Sequence, residues 1–375
     1  MSVYLLILGL VLFIMLVVVH EIGHFIVARR NGVQVEEFGI FFPPRIWSRV
    51  TKQGWRFSIN ALPLGGFVRL KGESDSATEP HSYGAATLWV KTKILLAGVA
   101  MNFLTAFVLL MFIALVGMPQ LVNQQFTVKS DTHIIENKVF AGYIIPGSPA
   151  ANIGLKSNDQ LLSITPPNGK PEIITSDTAL PKITKSLAGD VVSIKYVQNN
   201  QTYTKTVHLL TSKMVAASQK TNNPKGYLGI SPSQYTLQRS TWSAPIVAAG
   251  LLGQFVALTF HGLAMAVMGL VHGNPTQASS QVTGPVGIFE ILKNGSLLGY
   301  QFILTVVAII SLSLAIMNVL PIPALDGGKL FVTLVAHSLR KKLTENIEAL
   351  VYGTGFALLM ALVILITIVD VKRNF

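Results

Sequence analysis

Apolar residues along this chain are bunched into a few long runs. Stretches near residues 3–25, 94–117, 300–322 and 349–369 are each long enough to cross a bilayer core, which takes ~20 residues of helix. A fifth run, 244–271, carries no charged residue but contains Gln254, Thr259, His261 and several glycines. Between the first two runs the pattern changes. Residues 36–75 alternate polar and apolar with glycine punctuation, so Arg56–Asn60 and Phe67–Leu70 read as strands of a small β element between two spans. Residues 126–215 have soluble composition, with turns such as Pro166-Pro167-Asn168-Gly169 and short strands such as Val191–Val197. The polar, turn-forming stretch 216–235 reads as a linker leading out of it.

Composition agrees with this division. Half of the 375 residues are hydrophobic and 12% are charged, so too little charge is available to cover a soluble protein of this length. The formal net charge of +12 does not point to nucleic acid, because the basic residues are scattered and no aromatic-interleaved basic motif occurs. Many of them fall after the first run (Arg29, Arg30, Arg45, Arg49, Lys52, Arg56), where the positive-inside rule puts the cytoplasm. Arg340-Lys341-Lys342 reads as a second cytoplasmic flank, ahead of the last run. Cysteine is absent, which leaves His, Asp and Glu as the metal ligands this chain can offer. The run Val3–Val19 has no basic n-region and no small-residue cleavage site, so it reads as a retained span.

That first span ends in His20-Glu21-Ile22-Gly23-His24, an H-E-x-x-H pattern. Residues four apart share a helix face, so both imidazoles can reach one ion with Glu21 beside them. The chemistry associated with this pattern is metal-assisted hydrolysis, in which the glutamate takes a proton from the attacking water. Three ionisable groups at the end of an apolar span are costly unless paired or ligated. A catalytic zinc needs a third protein ligand and an open position. The best candidate lies in Asn318-Val319-Leu320-Pro321-Ile322-Pro323-Ala324-Leu325-Asp326-Gly327-Gly328. Pro321 and Pro323 cannot continue a regular helix, and Gly327 and Gly328 permit unusual backbone, so Asp326 is presented from a broken segment at membrane depth.

Two resemblances extend these readings. The run from Gly142 to Ile164, with Gly147-Ser148-Pro149-Ala150, Gly154-Leu155 and Asp159-Gln160-Leu161-Leu162-Ser163-Ile164, resembles a PDZ domain, which implies peptide binding at a sheet edge. The chain as a whole resembles the site-2 protease family of intramembrane zinc metalloproteases. It is most similar to the bacterial branch that cleaves anti-sigma factors, the regulator of sigma-E protease type. The likeness rests on residues 20–24, Pro63–Val68, Gly98-Val99-Ala100-Met101-Asn102, Gly284-Pro285-Val286-Gly287 and the 318–328 motif. It implies that His20, His24 and Asp326 bind Zn2+, that Glu21 is the general base, and that Asn318 contacts the substrate backbone or stabilises the oxyanion. It also implies that the hairpin around Gly65, Gly66 and Phe67, together with Pro323, contacts an unwound substrate. One PDZ module stands where some bacterial relatives carry two.

The expected fold is a polytopic α-helical membrane protein with four transmembrane helices, a membrane-associated β-hairpin element and one inserted PDZ-like domain. The expected divisions are 1–120 (two spans), 126–215 (the PDZ-like domain, outside the cytoplasm), 216–299 (linker and interfacial helices) and 300–375 (two spans). The fifth run, 244–271, is expected not to cross: a fifth crossing would deliver Asp326 to the side opposite His20 and His24. The expected activity is cleavage of membrane-spanning segments of single-pass proteins, of the anti-sigma factor or remnant signal peptide type. It would take place near the cytoplasmic side of a bacterial inner membrane. Expected partners are those substrates, the lipid bilayer and a peptide or ectodomain at the PDZ-like domain, with no nucleic acid. One alternative is a non-catalytic PDZ scaffold with a structural metal site, against which an intact Glu21 argues. Another is a membrane-anchored protease with a soluble site, but residues 36–93 offer no Glu or His at convincing ligand spacing.

Overall fold

The computed structural model describes residues 2–74, 76–220, 224–340 and 343–374. Residues 221–223 of the expected linker, and Lys341 and Lys342 of the expected basic flank, lie outside them. The chain forms two compact units. One comprises Met1–Met118, Gln125–Val128 and Thr241–Phe375, and the other Pro119–Gln124 and Lys129–Ser240.

The first unit begins with α1 (Ser2–Arg30), a single helix through the whole first apolar run. It stops in a Schellman turn: Gly32 takes a φ of +78°, Gly32 N–H donates to Arg29 O, and Val33 N–H donates to Ala28 O. The chain then enters β1 (Val35–Val50) and β2 (Arg56–Leu70). Val35 pairs with Leu70 and Ile40 with Gly66, whereas Arg45 pairs with Asn60 and Val50 with Arg56. The two short strands expected at 56–60 and 67–70 are thus the two ends of one bent strand. Glu37 is buried in this element between Arg45 at 2.9 Å and Arg69 at 3.6 Å. Burial pushes its carboxyl up, but the Ser58 hydrogen bond and the two guanidinium groups hold it below the ordinary range. Helix α2 (Leu88–Val116) is capped by the Thr87 side chain, which accepts from Val90 N–H. It starts six residues before the expected run because Leu88–Lys93 continue the helix as a polar-flanked first turn.

The second unit is built from β3 (Met118–Pro119), β4 (His133–Ile144), α3 (Pro149–Asn152), β5 (Gln160–Thr165), β6 (Glu172–Ile173), α4 (Ala179–Ser186), β7 (Val191–Gln198), β8 (Gln201–His208), α5 (Ser212–Ser218) and β9 (Ile230–Arg239). The sheet order is β3-β9-β4-β5-β7-β8, with β6 on β5. Val192, Ile194 and Tyr196 alternate into its core with the period of two that a half-buried strand requires. The unit runs on to Ser240, past the expected end at 215. Residues 230–239, expected in the linker region, form β9 because Tyr235 and Leu237 bury themselves along the β4 ladder.

The first unit resumes with α6 (Ala244–Val271), α7 (Pro275–Ser280), α8 (Pro285–Gly295), α9 (Tyr300–Val319), α10 (Asp326–Ser338) and α11 (Glu345–Asn374). Among the described residues, α1, α2, α6, α9 and α11 are long and apolar enough to cross a membrane. The run 244–271 is one continuous helix and not a set of short ones. Its first half buries Val247, Leu251 and Phe255, whereas Leu258, Phe260, Val267 and Leu270 stay exposed.

Helix directions follow from the side chains that meet. Gly9 of α1 lies against Ile303, and Leu16 packs with Val306 and Val307, so α9 runs parallel to α1. In contrast, His24 meets Ile94 and His20 meets Asn102, so α2 runs antiparallel to both. Helix α9 ends at Val319 and not at 322, because Pro321 and Pro323 have no N–H to continue it. The chain turns through Ala324 at a φ of +79° and restarts as α10 at Asp326.

Candidate metal centre

Helical periodicity builds most of the centre. His20 and His24, four residues apart on α1, face α2, where Ile94, Gly98 and Asn102 recur at the same interval. The helices approach closely because Gly23 and Gly98 lack side chains. A Cβ on Gly23 would stand 2.5 Å from the Ala97 carbonyl oxygen, and one on Gly98 would stand 2.5 Å from His24 Nε2. Asp326 arrives from the break after α9. Here Gly327 and Gly328 fit because a Cβ on either would strike the carbonyl oxygens of Val319 or Ile322 at 2.3 and 2.1 Å.

Three atoms able to hold a metal converge in a nearly equilateral triangle. His20 Nε2 lies 3.0 Å from Asp326 Oδ2, His24 Nε2 lies 3.2 Å from the same oxygen, and the two Nε2 atoms are 3.1 Å apart. Both histidines are 8% exposed, and Asp326 Oδ2 is buried without receiving a hydrogen bond. His24 Nδ1 lies 2.7 Å from the Ile94 carbonyl, so Nδ1 carries the proton and Nε2 keeps its lone pair. An orphaned carboxylate oxygen facing a nitrogen lone pair is repulsive unless a cation lies between them. The spacing is near the ~3.3 Å edge of a tetrahedron with zinc bonds of ~2.0–2.1 Å. The residues therefore fit a zinc ion, as two imidazoles and one carboxylate. Among the described residues no other three His, Asp or Glu side chains converge in this way.

Beside the triangle is a cavity of about 310 Å³ lined by Glu21, His24, Gly66, Phe67, Asp326 and Lys329, among others. Glu21 thus reaches the space next to the ligands without joining them. The Val68 backbone amide is directed at its carboxyl, and Gly66 leaves room for its Cγ. Of the expected substrate-contacting residues, Gly66 and Phe67 line this cavity. Gly65, Asn318 and Pro323 are not among its described lining residues. Gly65 lies against the Phe42 ring, Asn318 is half-buried in the last turn of α9, and Pro323 abuts Gly355 of α11. Gly98, Asn102 and the Ile94 carbonyl lie against the two histidines, whereas the sequence marks residues 98–102 only as a shared motif and assigns them no role. Their i, i+4 spacing opposite His20 and His24 was the available signal. Lys329, three residues beyond Asp326 on α10, was missed as well, because it matches no motif.

A helix-embedded pair of histidines, a carboxylate ligand from a broken segment and an adjacent glutamate define a metallopeptidase centre in a protein with several membrane-spanning-capable helices. The model of Peptidase family M50 matches residues 8–362, and the chain belongs to that family, the site-2 proteases. It is a zinc metalloprotease and an integral membrane protein. A protein of Clostridium perfringens named "Putative zinc metalloprotease" is 30% identical over 97% of this chain and 97% of its own length. One of the same name from Clostridium acetobutylicum is 31% identical over 99% of this chain and 98% of its own. A third, from Nostoc, is 28% identical over 96% and 93%.

Proposed function

We propose that this protein hydrolyses peptide bonds within membrane-spanning segments of single-pass membrane proteins. The site would lie near the cytoplasmic face of a bacterial inner membrane and use His20, His24 and Asp326 as zinc ligands. The observation that carries this reading is the position of the triangle: its two histidines belong to an apolar helix and end six residues short of Arg30. A helical peptide bond hides its carbonyl, so a substrate must be held extended. The Gly66–Val68 edge beside Glu21 is the backbone available for that. Bound zinc supplies Lewis acidity, polarising a water and the scissile carbonyl. Glu21 takes the proton from that water as it attacks and passes it to the leaving amine. The Ile94 carbonyl holds His24 in the ligating tautomer throughout.

The reading is tested with full-length protein in detergent and two substrates, a single-pass transmembrane segment and an unfolded soluble polypeptide. Cleavage of the transmembrane segment is expected to cease on chelation and return with zinc. Cleavage of the soluble polypeptide alone would overturn the intramembrane assignment. Anti-sigma factors and remnant signal peptides are the proposed substrate types.

The proposed topology has four crossings, α1, α2, α9 and α11. Parallel α1 and α9 with antiparallel α2 put residues 117 and 300 on one side of the bilayer, so the segment between them makes no net crossing. Leu292 of α8 packs at Gly9, the end of α1 remote from the ligands, and the Gln254 side chain of α6 accepts from Phe126 N–H shortly after α2 ends. Helix α6 then lies along the membrane. The inserted unit, read as PDZ-like from the Gly142–Ile164 motif, stands outside the cytoplasm and contacts a peptide or ectodomain of the substrate. A topology reporter fused after Gly273 is expected to read extracytoplasmic, and a cytoplasmic reading would remove this arrangement.

A further inference from the structure

The two imidazoles of the triangle both lean on α2, but by different means. His24 Nδ1 is served by the Ile94 main-chain carbonyl at 2.7 Å. Two turns further along α2 the same service falls to a side chain, since Asn102 places its amide 3.3 Å from His20 Nδ1. Asn102 is 1% exposed, so no bulk water reaches this pair. Its Oδ1 is buried and receives no hydrogen bond. Its main-chain carbonyl accepts from Ser311 Oγ of α9 at 2.8 Å.

We propose that Asn102 is a positioning residue for the metal, fixing the tautomer and ring orientation of His20. The inference rests on the reading of His20 as a ligand. The amide can present either end to His20 by a half-turn about its last bond, with no movement of its neighbours. If Nδ2 donated to Nδ1, the imidazole proton would sit on Nε2, the atom directed at Asp326 Oδ2. If Oδ1 accepts from Nδ1–H, Nε2 keeps its lone pair for the metal, and the orphaned amide oxygen gains the partner it lacks. Outer-shell carbonyl and carboxylate partners of metal-bound histidines act in this way. The Ser311 hydrogen bond adds a second tie. It fastens the turn of α2 that carries Asn102 to α9, the helix that leads into the break before Asp326. A closed circuit thus runs from Asp326 to His20, Asn102, Ser311 and back along α9.

The test compares full-length protein in detergent with Asn102→Leu, which removes the acceptor at similar volume, and Asn102→Asp, which keeps an oxygen there. Zinc affinity is read by competition with a chromophoric chelator, and ligand geometry by the visible spectrum after cobalt substitution. Asn102→Leu is expected to bind zinc ~10–100-fold more weakly with a changed cobalt spectrum. Asn102→Asp is expected to stay close to the unsubstituted protein in both readouts. Asn102→Leu with unchanged affinity and spectrum overturns the proposal. So does Asn102→Asp that melts like the metal-free unsubstituted protein yet has lost zinc. These comparisons are separate from the ligand set, which fails only if Asp326→Ala keeps its zinc.

Discussion

Glu21→Gln is expected to leave zinc bound and to slow cleavage of a transmembrane substrate by ~10²–10⁴-fold, the usual contribution of a general base. The prediction follows from where Glu21 stands. It lines the cavity beside His24 and Asp326 but is not one of the three converging atoms, so its amide replacement removes proton acceptance and leaves the ligands in place. Gly66 and the Val68 amide hold a glutamine of the same shape in the same position. Asp326→Ala is the matched opposite: it takes one of three ligands away, and zinc content measured on the purified protein is expected to fall along with activity. The pair separates protease from scaffold. A structural metal would survive Glu21→Gln with no functional change, so full-rate cleavage by the zinc-loaded variant removes Glu21 from the mechanism.

Much of this centre was legible beforehand because its chemistry is periodic or punctuated. His20 and His24 share a face by helix geometry alone, and the Pro321 and Pro323 break marks the place from which Asp326 is presented. The apolar runs of α1 and α2 carry over into the structure with shifts confined to their ends. What escaped depends on what lies across a helix interface. Asn102 belongs to the 98–102 motif, but its contact with His20 is not apparent until α1 is laid against α2, and Ile94 contributes a carbonyl that any residue would supply. Strand β9 was hidden by Pro232 and its serines, since its buried positions, Tyr235, Thr236 and Leu237, acquire meaning only beside β4. Helix α6 defeats hydropathy in the other sense. Its composition suits a bilayer, whereas the proposed topology, drawn from the parallel run of α1 and α9, has it make no crossing.

Gly98→Ala is expected to abolish zinc binding although it adds a single methyl group. The added Cβ would lie 2.5 Å from His24 Nε2, 2.6 Å from His20 Cε1 and 2.7 Å from His20 Nε2, inside the contact limit for all three. Relief is blocked on each side. His24 is tied at Nδ1 to the Ile94 carbonyl, and His20 faces the Asn102 amide. Helix α2 is held as well, because Ser311 of α9 donates to the Asn102 carbonyl. Rigid, close-packed interiors pass such an intrusion on and do not absorb it. The methyl therefore displaces the ligand nitrogens themselves, whereas an overpacked core site elsewhere in α2 would lose ~1–3 kcal/mol of stability with its zinc retained. Gly253→Ala is the control: its Cβ meets nothing within 4 Å, so zinc content and activity are expected to match the unsubstituted protein. Zinc retained at full stoichiometry in a folded Gly98→Ala protein would mean that the two histidines do not ligate through their Nε2 atoms.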